Sequence, residues 1–328
     1  MKSILIFSSL ALLLPILLLP VPPSVAPSSS THGVFVATSP CDDVSRQLLQ
    51  IPATAKCEMI KWSLNLHQDA NTLIPTTYSL SLTYGLPEQG TKGLANGGTM
   101  ALRQGQWTMV RGTKANGDAL VYRLDPGGSQ RPVSFLKADH NLLHLLDGHG
   151  NLAVGNAGWS YTLSRSGKTP PNVQQDGLLE SSAVQLTSPS AFASSIRSGP
   201  STLGRFFGRS PCQQVAKEIN KPVSGDCMKV KWDLTLYQDQ TLSPTTYKLR
   251  GTFYRERIRE GTWRIVRGTK ANPAAVVYQL DPANSEASLF FLKADDNILF
   301  FLDQEKNLMP GNADFSYTLN KADETPKN

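Results

Sequence analysis

The sequence has few of the residues on which catalytic and metal sites depend. Its 328 residues include only four cysteines and five histidines, and it contains no Gly-x-Ser-x-Gly motif, no glycine-rich phosphate loop and no His-Glu-x-x-His motif. The formal charge is only +6, without the concentrated basic stripe of a nucleic-acid-binding protein. Glycine and proline, 25 and 22 residues, are too few for collagen or wholesale disorder. We therefore expect a folded, non-enzymatic protein without catalytic residues, cofactor, metal or nucleic-acid partner.

A single long apolar run is present, at the N-terminus. Residues 4–19 are almost all apolar, follow Lys2, and precede Pro20, Pro22 and a small-residue exit around Ala26. This order is typical of a secretory signal, and the run is shorter than the roughly 20 residues that span a bilayer; a retained anchor is the alternative. No cysteine lies near the exit, so we expect no lipid attachment there. We predict a signal peptide over residues 1–28 and a soluble mature protein, periplasmic or secreted, without a transmembrane span.

Most of the remaining chain is a tandem repeat. Matching segments include 33–41 with 204–212, 62–69 with 232–239, 111–116 with the identical 267–272, and 160–163 with the identical 316–319. The offset between the copies falls from 169 at Pro75 to 156 at Arg111, so the first copy carries 13 extra residues, which we place within 85–98. Residues 166–203 are rich in Ser, Pro, Gly and Gln, a composition typical of a flexible linker. The predicted domains are therefore residues 33–165 and 204–320.

Apolar residues in each copy recur with a period of two, which predicts strands. Trp62, Leu64 and Leu66 alternate with polar residues, and turn signals such as Asn116-Gly117 end the runs. We predict a short helix within 42–50 and eight strands in the first copy, over residues 33–38, 60–67, 76–84, 106–111, 118–124, 132–137, 141–147 and 159–164. Eight short antiparallel strands need closure to remove their edges. The predicted fold is all-β, with two tandem small antiparallel up-and-down, lipocalin-like β-barrels joined by the flexible linker.

Short motifs along each copy follow the order of one known domain. The residues that carry them in the first copy are Gly33, Phe35, Ser39-Pro40-Cys41, Cys57, Ile60, Leu64, Leu66, Asp69, Thr77-Tyr78, Leu80, Gly105, Trp107, Leu143, Leu146-Asp147 and Gly155-Asn156. This order resembles the N-terminal domain of the NlpE-type copper-resistance lipoproteins. The resemblance implies a barrel in the cell envelope, tied to copper or to envelope stress. Two features differ from that family: 15 and 14 residues separate the paired cysteines in place of Cys-x-x-Cys, and the lipidated cysteine is missing.

The four cysteines form one pair in each copy. An even number in an oxidising compartment, at nearly the same spacing in two copies, favours the disulfides Cys41–Cys57 and Cys212–Cys227. Such bridges contribute about 3 kcal/mol each in the loop-entropy model. The alternative is a thiolate site for Cu(I), with Met59 or Met228 as a further soft ligand.

Histidines and carboxylates give only weak site signals. All five histidines lie in or before the first copy, and His140 and His144 on one strand would stand about 13 Å apart, too far to share an ion. We therefore expect solvated or edge histidines. The repeated aspartates each lie beside a turn signal, which favours turn capping over acid–base chemistry; the pairs are Asp69/Asp239, Asp125/Asp281, Asp139/Asp295 and Asp147/Asp303.

Two basic features are candidates for anion binding. The identical Arg-Gly-Thr-Lys-Ala-Asn segments place an arginine near a lysine in each copy, and these cations are Arg111, Lys114, Arg267 and Lys270. A hairpin turn built on Gly112 and Gly268 explains the same segments. In addition, residues 250–270 hold seven basic side chains, which fit anionic lipid or polysaccharide in an envelope; a solvated face that blunts aggregation is the alternative.

Together these observations predict a non-catalytic envelope protein that acts in binding or stress sensing, with copper handling as an inherited role. The partners expected are envelope components or a small ligand. The alternatives are a lipocalin-like carrier of a small apolar ligand and an enzyme. Large residues expected inside the barrel argue against a roomy lumen, because eight strands enclose little more than their own side chains; they are Trp62, Tyr78, Trp107, Trp159 and Tyr161.

Overall fold

The computed structural model describes residues 29–167, 201–283 and 288–322. The predicted signal peptide and most of the predicted linker lie outside these ranges. Within them, no helix is long and apolar enough to cross a membrane.

The first copy forms a closed antiparallel barrel of eight strands, in which each strand pairs with the next and β8 returns to β1. The strands are β1 Ser29–Pro40, β2 Met59–Asp69, β3 Pro75–Gly85, β4 Thr99–Arg111, β5 Leu120–Asp125, β6 Val133–Lys137, β7 Leu142–Leu145 and β8 Thr162–Arg165. Helix α1, Asp43–Leu49, follows β1, and its first backbone N–H groups are capped by the Asp42 carboxylate. A 3-10 turn, Ala95–Gly97, precedes β4.

The second copy repeats this order and also closes, through pairing of its last strand with its first. Its elements are β9 Ser201–Pro211, α2 Cys212–Glu218, β10 Lys229–Gln238, β11 Pro244–Gly251, a 3-10 turn Thr252–Tyr254, β12 Arg259–Arg267, β13 Val276–Leu280, β14 Leu289–Lys293, β15 Ile298–Leu302 and β16 Thr318–Lys321. The predicted fold, two tandem antiparallel eight-stranded barrels, is confirmed. The extra residues of the first copy lengthen the β3–β4 hairpin.

Alternate side chains fill each barrel, as the period of two requires. In β2, Trp62, Leu64 and Leu66 point inward and are buried with the inward residues of the other strands in one core cluster. The Trp62 indole donates to Ser39 Oγ at 2.8 Å, and the Trp232 indole makes the same bond to Ser210. Trp159 departs from the prediction: it lies before β8, half-buried, with the Arg209 guanidinium of the second barrel 5.7 Å from its ring centroid.

The two barrels pack against each other, a contact that the sequence analysis did not predict. Ser160 Oγ lies 2.6 Å from Ser316 Oγ, and Thr162 Oγ1 lies 2.8 Å from Thr318 Oγ1. Each residue here touches its own counterpart, 156 positions along the chain, so the barrels are related by an approximate twofold axis through these contacts.

Further contacts around the axis obey the same symmetry. The Gly155 N–H donates to Asn320 Oδ1, and the Gly311 N–H donates to Ser164 Oγ, both at 2.8 Å. At the edge, Lys61 Nζ forms an ion pair with Asp314 at 3.2 Å. The outer surface of β8 is therefore buried as an interface.

Candidate functional site

The disulfides form as predicted, one in each barrel and at the same end. Cys41 follows β1 at the start of α1, and its partner Cys57 lies just before β2, with 5.7 Å between their Cα atoms. Cys212 and Cys227 occupy the corresponding places, 5.8 Å apart. Each bridge thus ties the helix segment to the barrel. All four cysteines lie within the described ranges and are bonded in these two bridges, so they offer no thiolate ligand in this oxidised state.

His144 is buried, which corrects the expectation of a solvated or edge histidine. Its neighbours Leu143 and Leu145 point into the barrel, so the imidazole faces outward and is covered by the second barrel, where Phe300 lies 5.5 Å from it between ring centroids. Its exposed fraction is 0%. The expectation was wrong because it considered one barrel alone. A side chain that points outward from an isolated barrel would be solvent-exposed, whereas here it is buried in the interface between the two barrels.

The other histidines do not gather into a site. His140 is exposed in the β6–β7 turn. His32 lies at the start of β1, with Nδ1 2.7 Å from Gln68 Oε1 and its ring 4.9 Å from Trp107. Throughout the described ranges there is no group of three or more His, Cys, Asp or Glu side chains that could hold a metal ion.

The second barrel holds a largely buried polar triad that the sequence analysis missed. In the second barrel the Tyr247 hydroxyl donates to Asp281 Oδ2 at 2.6 Å, and Arg259 forms an ion pair with the same oxygen at 2.6 Å. Arg259 also donates to the Tyr254 hydroxyl. Burial, reinforced by the hydrogen bond to Asp281, raises the pKa of Tyr247 well above its usual value, which makes it a poor nucleophile or base.

In the first barrel the same residue types are Tyr78, Arg103 and Asp125. There Arg103 is 8% exposed and donates to the carbonyl of Leu48, the last residue but one of α1. Burial raises the pKa of Tyr78 and lowers that of Arg103. The signal that could have found the triad was present in the repeat, since all three residue types recur at aligned positions.

The Gly-x-Trp motif is explained by close packing beside this triad. A Cβ on Gly105 would stand 2.1 Å from the Asp125 carbonyl oxygen, and one on Gly261 would stand 2.0 Å from Asp281 Oδ1. The tryptophan two residues later is buried in the barrel core. Its indole N–H, on Trp107, donates to the His67 carbonyl at 2.6 Å. The motif is therefore structural.

The repeated aspartates mostly cap turns. Asp69, Asp139 and Asp147 each accept backbone N–H groups from the residues that follow them. Asp239, Asp295 and Asp303 do the same in the second barrel. Asp281 differs, because its carboxylate belongs to the triad.

The two Arg-Gly-Thr-Lys-Ala-Asn segments form the hairpins β4–β5 and β12–β13. Gly112 and Gly268 adopt φ values of 104° and 93°, a region that favours glycine. Arg111 donates to the Asp118 carbonyl at 3.1 Å, and Arg267 makes the corresponding bond to Ala274. The side chains of Lys114 and Lys270 are exposed. Hairpin geometry accounts for the shared sequence, and anion binding by these four cations stays a prediction.

The basic segment 250–270 is divided by the fold. Arg259 is drawn inside as part of the triad. Arg264 bonds Gln279 Oε1 on the neighbouring strand at 2.9 Å. Only part of the seven-residue group is therefore available on one outer face.

Comparison with known families finds a similarity within the second barrel. Residues 224–312 match the family model of the NlpE N-terminal domain. The second barrel is NlpE-like. The match spans β10 to β15, which confirms the predicted resemblance there, and the first barrel shares the strand order without being matched itself. No curated protein and no solved structure matches the chain.

Proposed function

We propose that this protein is an exported, non-catalytic component of the cell envelope that works by surface contact, in binding or stress sensing. The observation that carries the proposal is the NlpE match on a barrel that contains a disulfide. Disulfides persist in oxidising compartments such as the periplasm. The N-terminal apolar run supplies the corresponding export signal in the sequence.

The filled barrels support contact at the surface over carriage of a ligand inside. Trp62 and Phe135 meet edge to face at 6.3 Å in the first barrel, and Phe291 and Phe301 lie 4.6 Å apart in the second. All four are buried in the barrel cores. A lipocalin-like carrier would need this volume for its ligand.

The copper role of the family does not extend to these cysteines. Cu(I) selects thiolate and thioether donors, and all four cysteines are engaged in disulfides. His144 offers no free nitrogen, because both are hydrogen-bonded in the barrel interface. We therefore expect any stress signal to be passed through a protein or membrane contact.

Two measurements test this proposal. Expressed with its own N-terminus, the chain should be recovered outside the cytoplasm, shortened by about the predicted signal peptide and without free thiols. Recovery of the intact, reduced chain in the cytoplasm would refute export.

In a Cu(I) competition titration, the oxidised protein should bind Cu(I) no more tightly than a folded variant with all four cysteines changed to serine. Two tight Cu(I) ions per chain, lost in that variant, would instead restore a copper role.

A further inference from the structure

Both barrels expose leucine at the end of the same hairpin. Leu73 and Ile74, in the β2–β3 hairpin, are each 60% exposed, and Leu242, at the corresponding place in β10–β11, is 58% exposed. The two leucines have φ values of 58° and 64°, a region in which bulky side chains are rare. Apolar side chains this exposed bury little of their area on folding, and backbone strain is found at many functional sites.

Aspartate caps hold both hairpin ends in place. Asp69 Oδ1 accepts the N–H groups of Asn71 and Thr72 at 3.0 and 2.8 Å. Asp239 Oδ1 accepts those of Thr241 and Ser243 at 2.8 and 2.9 Å. The apolar ends are thus preorganised, and a partner that covers them has little ordering entropy to overcome.

The twofold relation directs both ends to the same side of the molecule. The contacts Ser160–Ser316 and Thr162–Thr318 both lie on the axis, so the axis runs along β8 and β16 and these strands point the same way. Strand β8 is antiparallel to β1, whose first residue pairs with Asp69 beside the β2–β3 hairpin. Each of the two strands therefore points toward the apolar end of its own barrel.

The same side carries the exposed basic hairpins. Strand β4 is antiparallel to β3 and ends on the side where β3 begins, which brings Arg111 and Lys114 to the end that holds Leu73. The second barrel repeats this order, with β12 antiparallel to β11 and Arg267 and Lys270 exposed in the hairpin that follows. This side of the molecule thus presents exposed cations and apolar ends, beside the capping carboxylates Asp69 and Asp239. Cations together with apolar side chains match a surface of anionic headgroups over hydrocarbon.

We propose that this side of the molecule docks on an anionic lipid bilayer, with Leu73, Ile74 and Leu242 entering the interface and the two basic hairpins contacting headgroups. Each end alone would bind weakly. Joined in one rigid pair, the second end binds at high effective concentration once the first is engaged. The proposal rests on the export proposed above, because envelope membranes are the surfaces that an exported chain meets.

The test is flotation of the exported chain with vesicles of phosphatidylglycerol and phosphatidylcholine, and with vesicles of phosphatidylcholine alone. The double variant Leu73→Asn, Leu242→Asn removes the exposed leucine of each barrel and leaves Ile74 in place. Asparagine tolerates positive φ, so folding stability should be kept or raised. Binding to the anionic vesicles should fall at least about tenfold, because each buried leucine contributes on this order. Changing Arg111, Lys114, Arg267 and Lys270 to glutamine should also weaken it and remove most of its salt dependence.

The matched control is Met100→Ser with Leu102→Ser. These residues are 73% and 62% exposed on the first part of β4, at the opposite end of the barrel, so binding should stay at the wild-type level. Failure of the wild type to float with either vesicle, or wild-type binding by the asparagine variant, would overturn the proposal. Equal binding to both vesicles would overturn the anionic surface. None of these results bears on export, which is judged from the cell fractions.

Discussion

Lowering the pH should destabilise the protein through His144, at the contact between the barrels. Nε2 of His144 lies 3.0 Å from the Ala153 carbonyl, which can only accept, so this nitrogen carries the proton. Nδ1 then accepts from the Thr162 hydroxyl at 2.9 Å, and Thr162 in turn accepts from Thr318. The neutral ring is fully satisfied in this network. Protonation would place a charge against Phe300 in a site from which water is excluded.

The size of the effect follows from the shift in pKa. Burial lowers the pKa of His144 from 6.5 to about 4, partly opposed by the Ala153 carbonyl. Because the folded state keeps the ring neutral, the unfolded chain takes up the proton first, and stability is lost as the pH falls from about 6.5 toward 4. With these two pKa values the linkage relation gives a loss of about 2 kcal/mol at pH 5 and about 3 kcal/mol at pH 4. Such a loss is a large share of a typical stability of about 5–15 kcal/mol.

The assay is urea unfolding, followed by tryptophan fluorescence, at several pH values between about 5 and 7.5, the window in which His144 titrates in the unfolded chain. The comparison is with His144→Phe, which copies the residue that the second barrel has at this place, Phe300. The difference in unfolding free energy, wild type minus variant, should fall by about 2 kcal/mol from the top to the bottom of this range. Parallel curves would refute the reasoning, since other titrating groups are common to both proteins.

Three other outcomes are expected. Thiol titration of the denatured exported chain should find no free cysteine, and two or more would contradict the observed bridges. In thermal unfolding, Gly105→Ala should destabilise the first barrel by at least about 1–3 kcal/mol. The control Gly117→Ala, where nothing lies within 4 Å of the added Cβ, should change the stability by no more than about 0.5 kcal/mol. Equal effects of the two substitutions would contradict the packing argument. Arg259→Met leaves Asp281 and Tyr247 without their cation and should cost about 3 kcal/mol in chemical denaturation; a neutral result would mean that solvent already screens the pair.

The sequence predicted the fold well because the fold depends on local patterns. A period of two is visible in Trp62, Leu64 and Leu66, and closure follows from the number of short antiparallel strands. The helix predicted within 42–50 is observed as Asp43–Leu49, since Asp42 serves as its cap. The disulfides followed from spacing in two copies and an oxidising compartment.

The missed features depend on neighbours that are distant in the sequence. His144 was misplaced because an outward position looks solvated until the second barrel is set against it. Trp159 was expected inside the first barrel, and it lies instead before β8, half-buried beside Arg209 of the second barrel. The triad was missed for another reason: Tyr247, Arg259 and Asp281 each have an ordinary place on a strand or turn, and only their meeting inside the barrel makes them a unit. The recurrence of these residue types at aligned positions in the first copy pointed to the three residues but not to their contact.

The identical Ser-Tyr-Thr-Leu segments serve two purposes at once. Tyr161 and Leu163 point into the first barrel and are buried in its core, as Tyr317 and Leu319 are in the second. The intervening Ser160 and Thr162 point outward, where a barrel alone would accept many polar residues. Each instead meets its own counterpart across the axis, so a change in one copy alters a contact that the other copy must match. The interface thus restricts these outward positions as well, and the axis that it fixes directs both leucine ends to one side.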